Sequence, residues 1–403
     1  MNSLEKNNIP VGYKDSAVGI IPQEWEVKRL GLVCNFLDNQ RVPIKDVDRL
    51  GMHGPYPYYG ASGIIDYVND YIFDDELILL GEDGANIINR STPLAFMVEG
   101  KIWVNNHAHV LRPIEPNNRF YICSYLESIS YDKYNTGTAQ PKLNREVCEK
   151  ILIPVPPMEE QRKIAEILGV WDEAIEKQSR LIEKLELRKR ALMQRLLTGR
   201  TRLPGFTTPW QKAAYSEVLK EVKRTMTWND DEEYDLISVK RRSGGLFHRE
   251  RLYGRDIKTK NLRPAKCGDF LISKMQIVHG ASGLVTEEFD GMKISGSYIA
   301  LVAKNRDMVD MNFINWYSKT PYFYHQTYVS SYGVHIEKMT FDLESFMSMT
   351  VCIPSLPEQK AIAEVLTTAD NEIATHRKKL DALRLQKRGL MQQLLTGKTR
   401  VKI

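Results

Sequence analysis

One helical cassette occurs twice in this chain. Residues Gln161 to Arg202 align without a gap on Gln359 to Arg400 at a constant offset of 198, and 20 of the 42 positions are identical. A repeat of that length constrains the architecture before any side-chain chemistry does, since both copies must build the same element. Within the first copy apolar residues recur in steps of four and three at Ile164, Leu168, Trp171 and Ile175, then at Ile182 and Leu185. The second copy repeats the rhythm at Ile362, Leu366 and Ile373, then at Leu380 and Leu383. A mean step of 3.5 residues is the seam of a left-handed coiled coil, so each cassette predicts a long helix that needs a partner helix. Polar residues interrupt both seams at matching places, Gln178 with His376 and Lys189 with Lys387, and such interruptions fix register at some cost in stability. A helix of about 38 residues would be roughly 55 Å long at 1.5 Å per residue.

Each cassette follows a segment of mixed texture, in which short apolar runs are broken by turn residues. These segments open after a proline–tryptophan landmark, at Trp25 and Trp210, and close on the proline-containing runs IPVPPMEEQ (Ile153 to Gln161) and IPSLPEQ (Ile353 to Gln359). Proline disfavours helix in the residue before it and is tolerated in a helix's first turn, so these runs read as hinges that launch the helices. The expected fold class is α+β: two globular domains at 1–154 and 203–354, separated by long helices within 155–202 and 355–403. Helices are expected near Phe120 to Ile129 and Met311 to Ser318. The local match of Gly60-Ala61-Ser62-Gly63-Ile64 with Gly280-Ala281-Ser282-Gly283-Leu284 suggests that the domains share a fold. If each domain's ends lie together, the second helix must return beside the first, giving an antiparallel pair with an approximate twofold and the domains at opposite ends of a rod.

The bulk numbers exclude more than they assign. Hydrophobic residues make up 42% and charged residues 27%, which fits a soluble globular protein, and no run is long enough to span a membrane. The N-terminal stretch from Met1 to Trp25 has no apolar signal-peptide core. Five scattered cysteines form no C-x-x-C pair, so neither a disulfide framework nor a zinc site is expected, and a reducing cytoplasm fits. Net charge is +5, distributed as −4 over residues 25–153 and +2 over residues 210–352, with the surplus on the helices. Gly397-Lys398-Thr399 ends like a phosphate-binding loop, but Gln392 stands where the first glycine belongs, so it reads as a helix C-terminus. No other nucleotide, metalloprotease or serine-hydrolase signature is present, so no catalytic residue and no metal ligand is expected. His107 and His109, two apart, would share one side of a strand.

The hinge entries IPVPPMEEQRKIAEIL and IPSLPEQKAIAEVL, the exits RALMQRLLTGRTR and RGLMQQLLTGKTR, and the stretch GTAQPKLN (Gly137 to Asn144) resemble the specificity subunits of type I restriction-modification systems over essentially the whole chain. The second domain lacks the GTAQPKLN wording and has Tyr332-Gly333-Val334-His335-Ile336 near the corresponding place. The resemblance implies that each domain is a target recognition domain reading one half of a bipartite duplex DNA sequence, with the helices setting the unread gap. It also implies docking of two modification (methyltransferase) subunits and, in the full complex, two restriction subunits. S-adenosylmethionine, ATP and magnesium would belong to those partners, and this chain would hold no cofactor. Base edges are read by Arg on guanine and by Asn or Gln on adenine, while Lys and Arg contact phosphates. On that chemistry the DNA-binding candidates in the first domain are Asn86, Asn89, Arg90, Asn105, His107, Thr138, Gln140 and Lys142. Those in the second are Lys240, Arg241, Arg242, Arg249, Lys274, Gln276 and His279. The alternative is a coiled-coil scaffold whose two modules bind protein or glycan.

Overall fold

The computed structural model describes residues 9–403, so the first eight residues of the N-terminal stretch lie outside the description. It divides into two compact units. The first runs to Ser179 and adds Lys378–Ile403; the second is Arg180–Arg377. Each unit therefore holds one globular domain, the first half of the helix that follows it and the last half of the other helix.

The first domain opens and closes on one antiparallel ladder, Glu26–Arg29 against Leu152–Val155. Its central sheet has the strand order Cys34–Phe36, Ala108–Pro113, Leu77–Gly81, Ala95–Val98. Leu77–Gly81 is buried at every position, as expected of a strand covered on both faces. Its side chains alternate: Ile78 and Leu80 join a core with the helix Arg119–Ser128 and the start of the long helix, while Leu77 and Leu79 join a core against a second sheet. That second sheet has the order Gly63–Val68, His53–Gly60, Lys101–Val104, Phe73–Asp74, with a parallel pairing at its centre.

The second domain repeats this plan strand for strand. Gln211–Ala214 pairs with Thr350–Ile353; the central sheet runs Leu219–Glu221, Tyr298–Ala303, Phe270–Ser273, Ser282–Leu284; and the outer sheet runs Leu246–Tyr253, Glu233–Val239, Lys293–Ser295, Leu262–Pro264. Phe270 and Ile272 face one core and Leu271 the other. The shared fold is thus real, but the glycine match that suggested it is misplaced. Gly60 and Gly63 form a hairpin turn of the outer sheet, whereas Gly280–Gly283 enters the edge strand of the central sheet. The counterpart of the first is the turn Lys240–Gly245, which shares little sequence with it because turns of one outline admit many residues.

The expected domain helices are present at Arg119–Ser128 and Met311–Tyr317, capped by Asn118 and Asp310, whose side chains accept from Tyr121 N and Phe313 N. The two long helices span Met158–Leu196 and Leu356–Leu394. Within the first unit Lys387 Nζ meets Asp172 Oδ1 at 2.5 Å, and within the second Lys189 Nζ meets Asp370 Oδ1 at 2.5 Å. Both lysines that interrupt the predicted seams are therefore paired, each on the aspartate 198 positions from the other. In the second unit, moving from Asp370 to Arg377 moves the contact from Lys189 back to Glu186, so the segments run antiparallel. Ile182, Leu185, Ile373 and Leu380 are buried, and Trp171, Ile175 and Leu383 half-buried. The seam reading needs one correction at the helix starts. Ile164 and Leu168 pack in a single core with the domain and with Met391, Leu394 and Leu395 at the end of the other helix, as do Ile362 and Leu366 with Leu196 and Leu197. There the helix start fills a three-way core, which a two-helix heptad pattern cannot distinguish from a simple seam.

Candidate nucleic-acid interface and its frame

The hinge wording has a structural purpose. Glu160 is fully buried and receives Arg400 from Nε at 2.7 Å and from Nη2 at 3.0 Å; in the second unit Glu358 receives Arg202 at 2.5 and 2.6 Å. The residue after each glutamate ties the long helix to its own domain. Gln161 accepts from Asn118 N at 2.9 Å and donates to Pro156 O at 2.9 Å, and Gln359 accepts from Asp310 N at 2.9 Å and donates to Pro354 O at 2.9 Å. The Glu-Gln pair and the Thr-Gly-Arg/Lys-Thr-Arg exit thus clamp the helix start, its domain and the tail of the other helix.

In the first domain three loops meet. Glu82 N donates to His107 O at 2.9 Å, Leu143 N to Glu82 O at 2.7 Å and Gly84 N to Pro141 O at 3.1 Å. The GTAQPKLN stretch is stiffened from inside: Asn135 Oδ1 accepts from Gly137 N at 3.0 Å and Lys142 N at 2.9 Å. A Cβ on Gly137 would lie 1.7 Å from Gln140 O, so only glycine fits that turn. The result displays Thr138 and Gln140 outward, both exposed, on a loop whose ends are fixed. Lys142 reaches Glu82 at 3.4 Å, and His107 Nδ1 meets Asp83 at 2.8 Å. His107 lies in the turn before Ala108–Pro113, so it does not share a strand face with His109 as the spacing implied.

Beneath these loops lies a charged core. His109 is buried, with Nδ1 2.7 Å from Asp38 Oδ2 and Nε2 2.8 Å from Leu143 O. Both neighbours accept, so both ring nitrogens must donate and the ring is an imidazolium. Burial works against that charge, but the Asp38 carboxylate outweighs it and pushes the histidine up to about 10. Asp38, also opposed by burial, is held below its ordinary range by His109, the Val110 amide and Arg41.

Several candidates are spent inside the fold. Asn105 is buried and its Oδ1 accepts from His107 N at 2.8 Å. Arg90 Nη2 donates to Glu127 O at 2.5 Å and pairs with the Glu127 carboxylate at 2.9 Å. Asn86 Oδ1 accepts from Thr92 N at 3.0 Å and so shapes its own loop. Asn89 is exposed at the end of the same turn.

In the second domain the hairpin turn is docked by Arg242 N donating to His279 O at 2.7 Å and Ser243 N to Gly280 O at 2.9 Å. This gathers Lys240, Arg241, Arg242, Gln276 and His279 into one patch. Arg241 Nε donates to Gln276 Oε1 at 2.6 Å and its Nη2 pairs with Glu337 at 2.8 Å, while His279 Nε2 lies 3.2 Å from the same carboxylate. Arg249 is elsewhere, on the edge strand Leu246–Tyr253, donating to Glu250 at 2.7 Å. Lys274 lies in a separate cleft. Glu337 and Asn135 escaped the sequence reading, which looked for donors to DNA and not for the acceptors that orient them.

Among the described residues, no group of three His, Cys, Asp or Glu is placed to hold a metal ion, and no helix is long and apolar enough to cross a membrane. A chain with one mixed domain built twice, each copy presenting a cluster of polar loops and clamped to a shared helix pair, is a two-module recognition protein. The model of the type I restriction modification DNA specificity domain matches residues 22–187 and again 210–385, and the chain belongs to that family. Over 97% of both chains it is 25% identical to a putative type I restriction enzyme MjaX specificity subunit of Methanocaldococcus jannaschii. It is 38% identical to a putative specificity subunit of Haemophilus influenzae, over 36% of this chain and 37% of that one. In fold it is similar to the S subunit of a type I system from M. genitalium, with a TM-score of 0.60 at 12% identity over 94% of this chain and 96% of that one. A chain solved for the complex assembly and conformational transition of the type I R-M system matches with a TM-score of 0.54 at 17% identity, over 94% of this chain and 99% of that one.

Proposed function

We propose that this chain is the DNA specificity subunit of a type I restriction-modification complex, with each domain reading one half of a split duplex target and the helices setting the gap. The observation that carries this reading is a repeated frame with unlike loops: matching arginine–glutamate clamps at Glu160–Arg400 and Glu358–Arg202 hold domains of one fold, yet one displays Thr138 and Gln140 and the other Arg241 and Gln276. Constant frame and variable reading surface are what two different half-sites require. The chain supplies address and geometry and has no catalytic role of its own. Two modification subunits dock on it and methylate adenine with S-adenosylmethionine, and two restriction subunits add ATP- and magnesium-dependent chemistry, all in the cytoplasm. The scaffold alternative has no account of the family match in both halves.

Co-expression with a modification subunit from the same source, followed by single-molecule mapping of N6-methyladenine in the host DNA, tests this. Methylation at one split motif with a fixed gap is the expected result. A stable complex that leaves the DNA unmodified would sink it.

A further inference from the structure

The second domain contains a cleft of about 710 Å³ lined by Lys223, Arg224, Lys260, Arg263 and Lys274, with Glu221 as the one carboxylate among them. The cations come from separate stretches, brought together where the strand Leu262–Pro264 meets the end of Phe270–Ser273 and the chain leaving Leu219–Glu221. They differ in how far they are already committed. Arg224 forks onto buried Asp269 at 2.5 and 2.8 Å and belongs to the framework. Lys223 pairs with Glu221 at 3.1 Å and Lys260 with Asp230 at 2.6 Å, half-exposed contacts of the kind an incoming anion can exchange. Two groups remain. Among the described residues no carboxylate pairs with Lys274, and Arg263 Nε is buried without a hydrogen-bond partner while its Nη2 donates to Tyr298 O at 2.6 Å. A guanidinium N–H withdrawn from water without an acceptor is costly, and a phosphate oxygen is the acceptor that best matches its charge.

The equivalent edge strand of the first domain, Phe73–Asp74, is flanked by the carboxylates Asp70 and Asp75 in place of lysine and arginine. The asymmetry agrees with the net charges of the two segments, −4 and +2.

We propose that this cleft takes a backbone phosphate of the DNA held by the second domain, through Lys274 Nζ and the Arg263 guanidinium, as an anchor that reads no sequence. The inference rests on the reading of the chain as a DNA specificity subunit. Inorganic phosphate has the same chemistry, so the test must separate the two sources. In the full complex with modification subunits, Lys274→Gln is compared with wild type for affinity to duplexes with and without the methylated motif, over a range of salt concentrations. The expected result is a log–log salt slope shallower by about 0.9 for the one lost contact. Affinity should fall by a similar factor on both duplexes, with the methylated motif unchanged. Adding Lys223→Gln and Lys260→Gln should flatten the slope further. An unchanged slope in the triple variant, or a changed base preference in Lys274→Gln, overturns the proposal. Titration with inorganic phosphate, followed by the fluorescence of Trp228 beside Lys260, provides the other arm. Loss of a phosphate response in Lys274→Gln with a wild-type DNA slope would make the cleft a free-anion site and overturn the proposal. A wild-type complex that methylates a split motif while the variants keep its slope refutes the cleft alone; one that binds no DNA refutes both readings.

Discussion

Arg400 closes on Glu160 with two parallel hydrogen bonds, and Trp25 Nε1 donates to the same carboxylate at 2.9 Å. Three parts of the chain far apart in sequence therefore converge on one buried charge. Glu160 is buried but Arg400 is about a third exposed and also meets Glu24, so losing the carboxylate costs mainly its charge-assisted hydrogen bonds, about 2–3 kcal/mol. Glu160→Ala is expected to destabilise the first unit by that amount in denaturant unfolding. Glu358→Ala should cost about 1 kcal/mol less, because the indole of Trp210 makes no hydrogen bond and none is lost. Equal losses would mean that the Trp25 bond contributes nothing.

The His109–Asp38 pair predicts a dependence on pH. The folded-state value of about 10 lies above the ordinary 6.5, so the histidine's contribution is complete below about pH 6.5 and is lost as pH rises toward 10. Asp38 is lowered, so its contribution is present above 3.8 and disappears as pH falls through the folded value. The difference in thermal stability between wild type and His109→Gln should shrink steadily from pH 7 to 10. Because His109 also holds Leu143 O, hydrogen-exchange protection in residues 137–143, corrected for the intrinsic base-catalysed rate, should fall over the same interval.

Two glycines end the long helices in left-handed conformation, Gly199 at φ 68° and Gly397 at φ 71°. An alanine at either adds about 1 kcal/mol of strain. At Gly397 its Cβ would also lie 2.3 Å from Pro22, against 3.3 Å from Trp210 at Gly199. Gly397→Ala should therefore lower the melting temperature more than Gly199→Ala, and the reverse order would contradict the described packing of the C-terminal tail.

Arg241 and Arg242 stand on a turn pinned to the 276–280 segment. Replacing both by alanine should weaken DNA binding and reduce the log–log salt slope by about 0.9 for each phosphate contacted. A slope equal to wild type would remove both from the phosphate-contacting set.

Exchange of residues 210–352 for the domain of another specificity subunit should alter one half of the methylated motif and leave the other half and the gap intact. Changes in both halves would contradict independent reading.

How much of this was legible in advance differs by length scale. The long helices were, because a 3.5-residue period and a 42-residue repeat survive whatever surrounds them. The sharing of a fold by the two domains was expected and holds, but the local match offered for it was no equivalence: the counterpart of Gly60–Gly63 is Lys240–Gly245, while the look-alike Gly280–Gly283 sits on another sheet. Asn105 and Arg90 carry base-reading chemistry but are used internally, which depends on burial that no local pattern reports. The cationic cleft draws on residues about 50 positions apart, and it exists only once the sheets are assembled.

The pairs Lys387–Asp172 and Lys189–Asp370 limit how the two helices can align. Sliding one helix past the other by a heptad would take Lys387 off Asp172 and set it against Ala165 or Ser179. Each lysine thus ties the two helix segments of its own unit to one local register, the first through Asp172 and the second through Asp370.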